Sequence, residues 1–116
     1  MSKRDVRLFV SDILESSEKI QKWTQGMTYE KFSRDIMIQD AVVRNLEIIG
    51  EAAKNIPEAL RAQHSKIPWK RVAGFRNIAI HDYFGVDLET VWKIATQGIT
   101  EIKPHLQTLL KSLSPL

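Results

Sequence analysis

The sequence predicts an all-α protein, an up-and-down four-helix bundle with a short extra helix, and three observations predict it. Apolar residues recur at spacings of three and four over four long stretches. Gly26, Pro57, Pro68 and Gly85 fall between those stretches, where helices start or stop. The 116 residues are 43% hydrophobic and 27% charged, with no linker-like segment and no internal repeat, which suits a single domain over residues 1–116.

The first helix is expected from about Asp5 to Gln25, with Val6, Phe9, Val10, Ile13, Ile20 and Trp23 on its apolar face and Gly26 ending it. The second should run from about Arg34 to Asn55. It has a broad apolar face (Ile38, Ala41, Val42, Leu46, Ile48, Ile49, Ala52, Ala53) opposite a charged strip of Asp40, Arg44, Glu47, Glu51 and Lys54. In most proteins such a strip is simply a solvated face. A short turn fits Pro57 to Arg61. The third long helix is expected from Pro68, whose fixed φ suits a first helical position, to Phe84-Gly85, where glycine can cap it. Asp87 then caps a last helix carrying Leu88, Val91, Trp92, Ala95, Ile99, Ile102, Leu106, Leu110 and Leu113, which Gly98 and Pro104 should bend.

On an ideal wheel the third helix places Trp69, Val72, Ala73, Ala79, Ile80 and Tyr83 on one stripe, with Arg76 in its middle. A charge there is costly unless paired or solvated in a cleft, so Asp40, Glu47 or Glu51 of the second helix are its natural partners, across a polar pocket. Beside the stripe Lys70, Gly74, Asn77 and His81 form a lane. Glycine inside a helix costs about 1 kcal/mol relative to alanine, which makes Gly74 the expected point of close backbone approach. Phe75 and Ile78 lie on the far side of the lane, offering a second apolar surface to a partner.

Composition excludes several chemistries. Without cysteine there is no disulfide framework, thiolate nucleophile or cysteine-ligated zinc. His64, His81 and His105 show no metal-ligand spacing, and neither a Gly-rich phosphate loop nor a nucleophile elbow occurs, so no metal or cofactor is expected. The charged start and the lack of a long apolar run give the expectation of a cytoplasmic protein with no membrane span. Trp23, Trp69 and Trp92 fall at packing positions. Net charge is +3, and Arg61, His64, Lys66, Lys70 and Arg71 cluster ahead of Arg76. That cluster is either a polyanion-facing surface or a solvated basic loop.

Chemistry concentrates in Arg76-Asn77-Ile78-Ala79-Ile80-His81-Asp82-Tyr83. Arginine brings a permanent charge and a donor fork suited to phosphate, and histidine exchanges protons near neutral pH, a pair fitted to a phosphodiester. Arg76 and His81 sit about 140° apart on a regular helix, so one chain does not aim both at one atom. A two-fold dimer packed along the lane would bring two copies together. One His81 could then take the proton from a 2′-hydroxyl and its mate protonate the leaving oxygen, while Arg76 stabilises the charged transition state and Asn77 orients imidazole or phosphate. Alone, Arg-x-x-x-x-His is a common pattern.

The motif Arg76-Asn77-x-x-x-His81-x-Tyr83, with Leu46-Glu47-Ile48-Ile49-Gly50-Glu51-Ala52-Ala53 and Ile67-Pro68-Trp69, resembles the HepT family of HEPN-domain toxins over nearly the whole chain. The resemblance implies a homodimeric HEPN fold and metal-independent endoribonuclease activity at Arg76 and His81, with RNA as substrate and tRNA as one class of it. It also implies a type VII-like toxin–antitoxin pair. In such a pair a minimal nucleotidyltransferase (MNT) antitoxin silences the toxin by AMPylation of Tyr83, whose added charge would repel RNA. Tyr83 also fits a core position. On this reading Lys66, Lys70 and Arg71 bind RNA. The rival reading is a non-catalytic helical subunit that binds substrate or nucleotide for a nucleotidyltransferase, and a plain helical scaffold is the third.

Overall fold

The computed structural model describes residues 5–78 and 87–113, and among these every regular element is helical. Helix α1 spans Val6–Thr24; the Asp5 side chain accepts from the Arg7 amide at 2.7 Å at its start, and Gly26 takes φ +73° just beyond its end. The expected second helix is present, and a short helix that was not expected precedes it. A short α2, Tyr29–Arg34, is capped by the Thr28 hydroxyl, and α3, Ile36–Lys54, by Asp35, whose carboxylate accepts from the Ile38 amide at 3.0 Å. The corner between them is pinned by the buried Gln39, which donates to the Phe32 carbonyl at 2.9 Å.

Helix α4, Glu58–Gln63, is the short turn expected after Pro57. The next segment departs from the expected long helix. Helix α5, Trp69–Ala73, gives way at Gly74 to a single turn, α6, Phe75–Asn77. The Gly74 carbonyl accepts from Asn77 at 2.9 Å as well as from Ile78 at 3.3 Å, so the turn is tightened. Phe75, expected on a free partner-facing surface, is 2% exposed and belongs to the core, and Ile78 packs against that core. The buried arc is therefore wider than the wheel suggested, and no second apolar face is left over here. Residues 79–86, with His81 and Tyr83, lie outside the described residues.

Asp87 caps α7, Leu88–Lys93, as expected, and a π-helical stretch, Ile94–Gly98, leads into α8, Ile99–Ser112, which contains Pro104. Helix α1 packs along α3 and α8; α5 and α6 lie on α3. Trp92 of α7 meets Phe32 and Tyr29 of α2 with ring centroids 5.1 and 6.3 Å apart. Trp23 and Trp92 pack against the core and Trp69 lies in it, so the tryptophans are packing groups. None of the described helices is long and apolar enough to cross a membrane.

The close backbone approach exists, but at a different glycine. A Cβ on Gly74 would meet only its own turn, the Arg71 and Lys70 carbonyls at 3.2 and 3.3 Å. A Cβ on Gly50, in the C-terminal part of α3, would stand 2.6 Å from the Arg76 amide nitrogen and 3.0 Å from the Ala73 carbonyl oxygen. Gly50 is thus where α5 and α6 cross α3.

Gly50→Ala should cost about 1–3 kcal/mol in denaturant unfolding, because backbone must move to admit the methyl. Gly98→Ala, whose Cβ would find only Ile94 at 3.8 Å or beyond, should instead stabilise by several tenths of a kcal/mol. The Asp87 carboxyl is held below its ordinary value by the Thr90 hydroxyl, at 2.7 Å, and the Thr90 amide. A depressed folded-state value means that this stabilisation is complete above the unfolded aspartate range, about pH 4, and fades as pH falls through the folded value. The stability gap between wild type and Asp87→Asn should therefore close on acidification below about pH 4.

Candidate functional site

The site is assembled where α5 and α6 cross α3. Gly50 lets the backbone of residues 73 to 76 lie against α3, which fixes the root of Arg76. The next residue of α3, Glu51, meets the guanidinium directly: its Oε1 accepts from Arg76 Nε. Their side chains are 40% and 47% exposed, so the pair sits at the protein surface with water on one side. A guanidinium carries five N–H donors, more than one carboxylate can accept from, so its pairing with Glu51 is compatible with contact to a second anion.

Of the three carboxylates expected as partners, the structure selects Glu51. Glu47, one turn earlier, pairs with Arg44 at 3.2 Å. Asp40 stands eleven residues from Glu51 along the same helix, about 16 Å, beyond reach of Arg76. Asn77, the last residue of α6, is exposed beside Arg76.

Lys66, Lys70 and Arg71 are all exposed, on the loop before α5 and on α5 itself. That loop is clipped in place. The Trp69 indole nitrogen donates to the carbonyls of Arg61 and His64 at 3.2 and 3.1 Å, while Ile67 is buried, so the C-terminal end of α4 and the start of α5 are tied together. From Ala59 to His81 the chain holds no aspartate or glutamate at all, so the whole run presents one sign of charge.

A groove of about 280 Å³ opens on the other side of Glu51, between α1 and α3. Phe9, Ile48 and Ala52 give its apolar lining; Asp12, Glu47 and Glu51 give three carboxylates, with Arg44 and Asn55 beside them. Sequence reasoning placed Glu47 and Glu51 on one strip but missed the groove, because the α1 residues that complete it are distant in the chain. Gly50 was missed as well, although a glycine inside α3 carried the same signal as Gly74. Among the described residues no three of His, Asp and Glu gather closely enough to hold a metal ion.

A family model described as "Ribonuclease HepT-like" matches residues 13–109, and the chain belongs to that family. It is 46% identical over 113 residues to the Methanocaldococcus jannaschii protein named "Putative RNase MJ1216", covering 97% of this chain and 93% of that protein. It is similarly 41% identical over 109 residues to "Probable ribonuclease HepT" of Thermococcus cleftensis, covering 94% and 99%. No solved structure matches the chain.

Because the Arg76–Glu51 pair is half exposed, Glu51→Gln should change unfolding free energy by less than about 1 kcal/mol. Chemical denaturation beside Gly50→Ala would separate the two roles: position of the backbone, which carries stability, and orientation of the guanidinium, which does not.

Proposed function

We propose that this chain is a metal-independent endoribonuclease that acts as a homodimer, with Arg76, Asn77 and His81 of both copies at a shared groove. The observation that carries the reading is the placement of Arg76: a surface guanidinium rooted by Gly50, held by Glu51, and continuous in sequence with the acid-free basic run. RNA phosphates lie along Lys66, Lys70 and Arg71, whose exposed ammonium and guanidinium groups supply attraction without reading sequence.

In the reaction one His81 takes the proton of a ribose 2′-hydroxyl as its oxygen bonds to phosphorus. The His81 of the other copy gives a proton to the 5′-oxygen as the phosphorus–oxygen bond breaks, leaving a cyclic phosphate and a free 5′-hydroxyl. Arg76 holds the phosphoryl oxygens as negative charge builds, and Asn77 orients imidazole or phosphate. Glu51 positions Arg76; Glu47 and Asp40 support the same face of α3 only through its negative field. The protein is the toxin of a toxin–antitoxin pair, and a partner nucleotidyltransferase silences it by transferring AMP to Tyr83, close in sequence to His81. The family membership and the names of the relatives support the nuclease reading, whereas a subunit that merely binds substrate for a nucleotidyltransferase would need no proton-transfer group.

His81→Ala should lower RNA cleavage in EDTA by at least about 100-fold, and Arg76→Ala by roughly 100- to 1,000-fold, with circular dichroism unchanged. Cleavage that persists in His81→Ala would remove the histidine from the mechanism and favour the binding subunit. Intact-mass and peptide mapping after coexpression with the nucleotidyltransferase should find the added AMP on Tyr83 and be absent from Tyr83→Phe.

A further inference from the structure

Arg61, in the last turn of α4, has no part in the reaction as described, yet its backbone is firmly held. Its carbonyl accepts from two donors, the His64 amide at 3.1 Å and the Trp69 indole nitrogen at 3.2 Å, so the residue is tied both to the end of its own helix and to the start of α5. Its guanidinium is divided between protein and solvent. The Nε is shut off from water and has no acceptor, whereas the two terminal nitrogens, also without a partner among the described residues, are open to solvent. Glu58, one turn earlier on α4, is spaced to pair with Arg61, but no ion pair forms between them.

We propose that Arg61 is a further RNA-binding residue, gripping a backbone phosphate other than the one that is cut, an inference that rests on the RNA-cleaving reading. A packed stem alone would not make a binding group, because long basic side chains often lay their methylenes on the protein and leave the head in water. Here the packing reaches past the methylenes to Nε, and a buried donor without an acceptor is a loss that solvating the head does not require. Because Nε lies in the guanidinium plane, its packing sets the direction of the two terminal nitrogens. A fork already set loses little freedom when an anion accepts from it, and its parallel donors match two oxygens of one phosphate. The surroundings favour a nucleic acid over an acidic protein segment. A carboxylate already stands one turn away and is not taken, and from Ala59 to His81 the chain carries no aspartate or glutamate to repel a phosphate backbone.

The test measures binding and cleavage separately on the full-length protein. Fluorescence anisotropy with a labelled single-stranded RNA of about 20 nucleotides, 2′-O-methylated so that it lacks the attacking hydroxyl, gives Kd as a function of salt. Arg61→Gln should weaken binding about tenfold at low salt, the scale of hydrogen bonds to a charged group, and reduce the slope of log Kd against log salt by about 0.7, the increment for one phosphate on a single strand. Arg61→Lys, which keeps the charge, should keep the wild-type slope. A dinucleoside monophosphate has only the scissile phosphate, so wild type and Arg61→Gln should cleave it with equal kcat/KM while the variant falls behind on the unmodified longer RNA.

An unchanged slope in Arg61→Gln, with or without lower stability to denaturant, overturns the proposal, and so does equal slowing on the dinucleotide and the longer RNA. A variant impaired in binding poly-L-glutamate but not RNA assigns Arg61 to an acidic protein and overturns it too. The two layers separate cleanly. The expected loss of slope in a protein that cuts neither substrate upholds Arg61 and sinks the nuclease reading, whereas normal cleavage with the slope unchanged sinks Arg61 alone.

Discussion

A backbone contact, the crossing of α6 over Gly50, sets everything else at the site. Arginine has four rotatable bonds and is ordinarily a poor fixed point. Here its root is immobilised because the Arg76 amide lies where a Cβ on Gly50 would be, and its tip is bound one residue further along the same helix. Both constraints come from consecutive residues of α3, so they cannot drift relative to one another. That is preorganisation of the kind an electrostatic catalyst requires, obtained from helix packing and not from a dense polar network.

The exposure of the Arg76–Glu51 pair matters as much as its existence. A fully buried pair would carry a desolvation cost of several kcal/mol and shut the guanidinium away from solvent. With both side chains near half exposure, water meets both charges and the guanidinium stays open at the surface while Glu51 holds it. The pair also lies at a boundary. On one side runs a stretch of sequence without a carboxylate, and on the other a groove lined by Asp12 and Glu47 as well as by Glu51 itself.

Much of the scaffold was legible because helix ends are written locally. Asp5, Gly26, Pro57 and Asp87 mark boundaries that a single turn of chain can enforce, and the structure keeps them. What could not be read locally is which helix a given glycine faces. Gly50 and Gly74 send the same signal, an unexplained loss of helix propensity, and only the crossing geometry tells that the first accommodates a neighbouring backbone while the second relaxes its own turn. The wheel failed beyond Gly74 for a related reason. It assumes 100° per residue, and the i+3 bond from Asn77 to the Gly74 carbonyl breaks that assumption just where Phe75 turns into the core. Glu51 was within reach of sequence reasoning, as one of three carboxylates on a strip; choosing it over Asp40 and Glu47 required the height at which α6 meets α3. His81 and Tyr83, the other half of the motif, lie outside the described residues.

Helices of five and three residues have no stability of their own in water, because nucleation costs more than so few hydrogen bonds return. The segment bearing Arg76 is nonetheless held on both sides. Upstream, the Trp69 indole bridges two carbonyls at the end of α4, and Ile67 anchors the loop between them. Within it, Val72 and Phe75 are sunk into the core against α3. The shape of α5 and α6 is therefore a property of the core and of α3, not of their own sequence. It follows that the arginine is only as well placed as residues that touch no substrate, and that a family could change its surface charges freely while these buried groups stay under tight restraint.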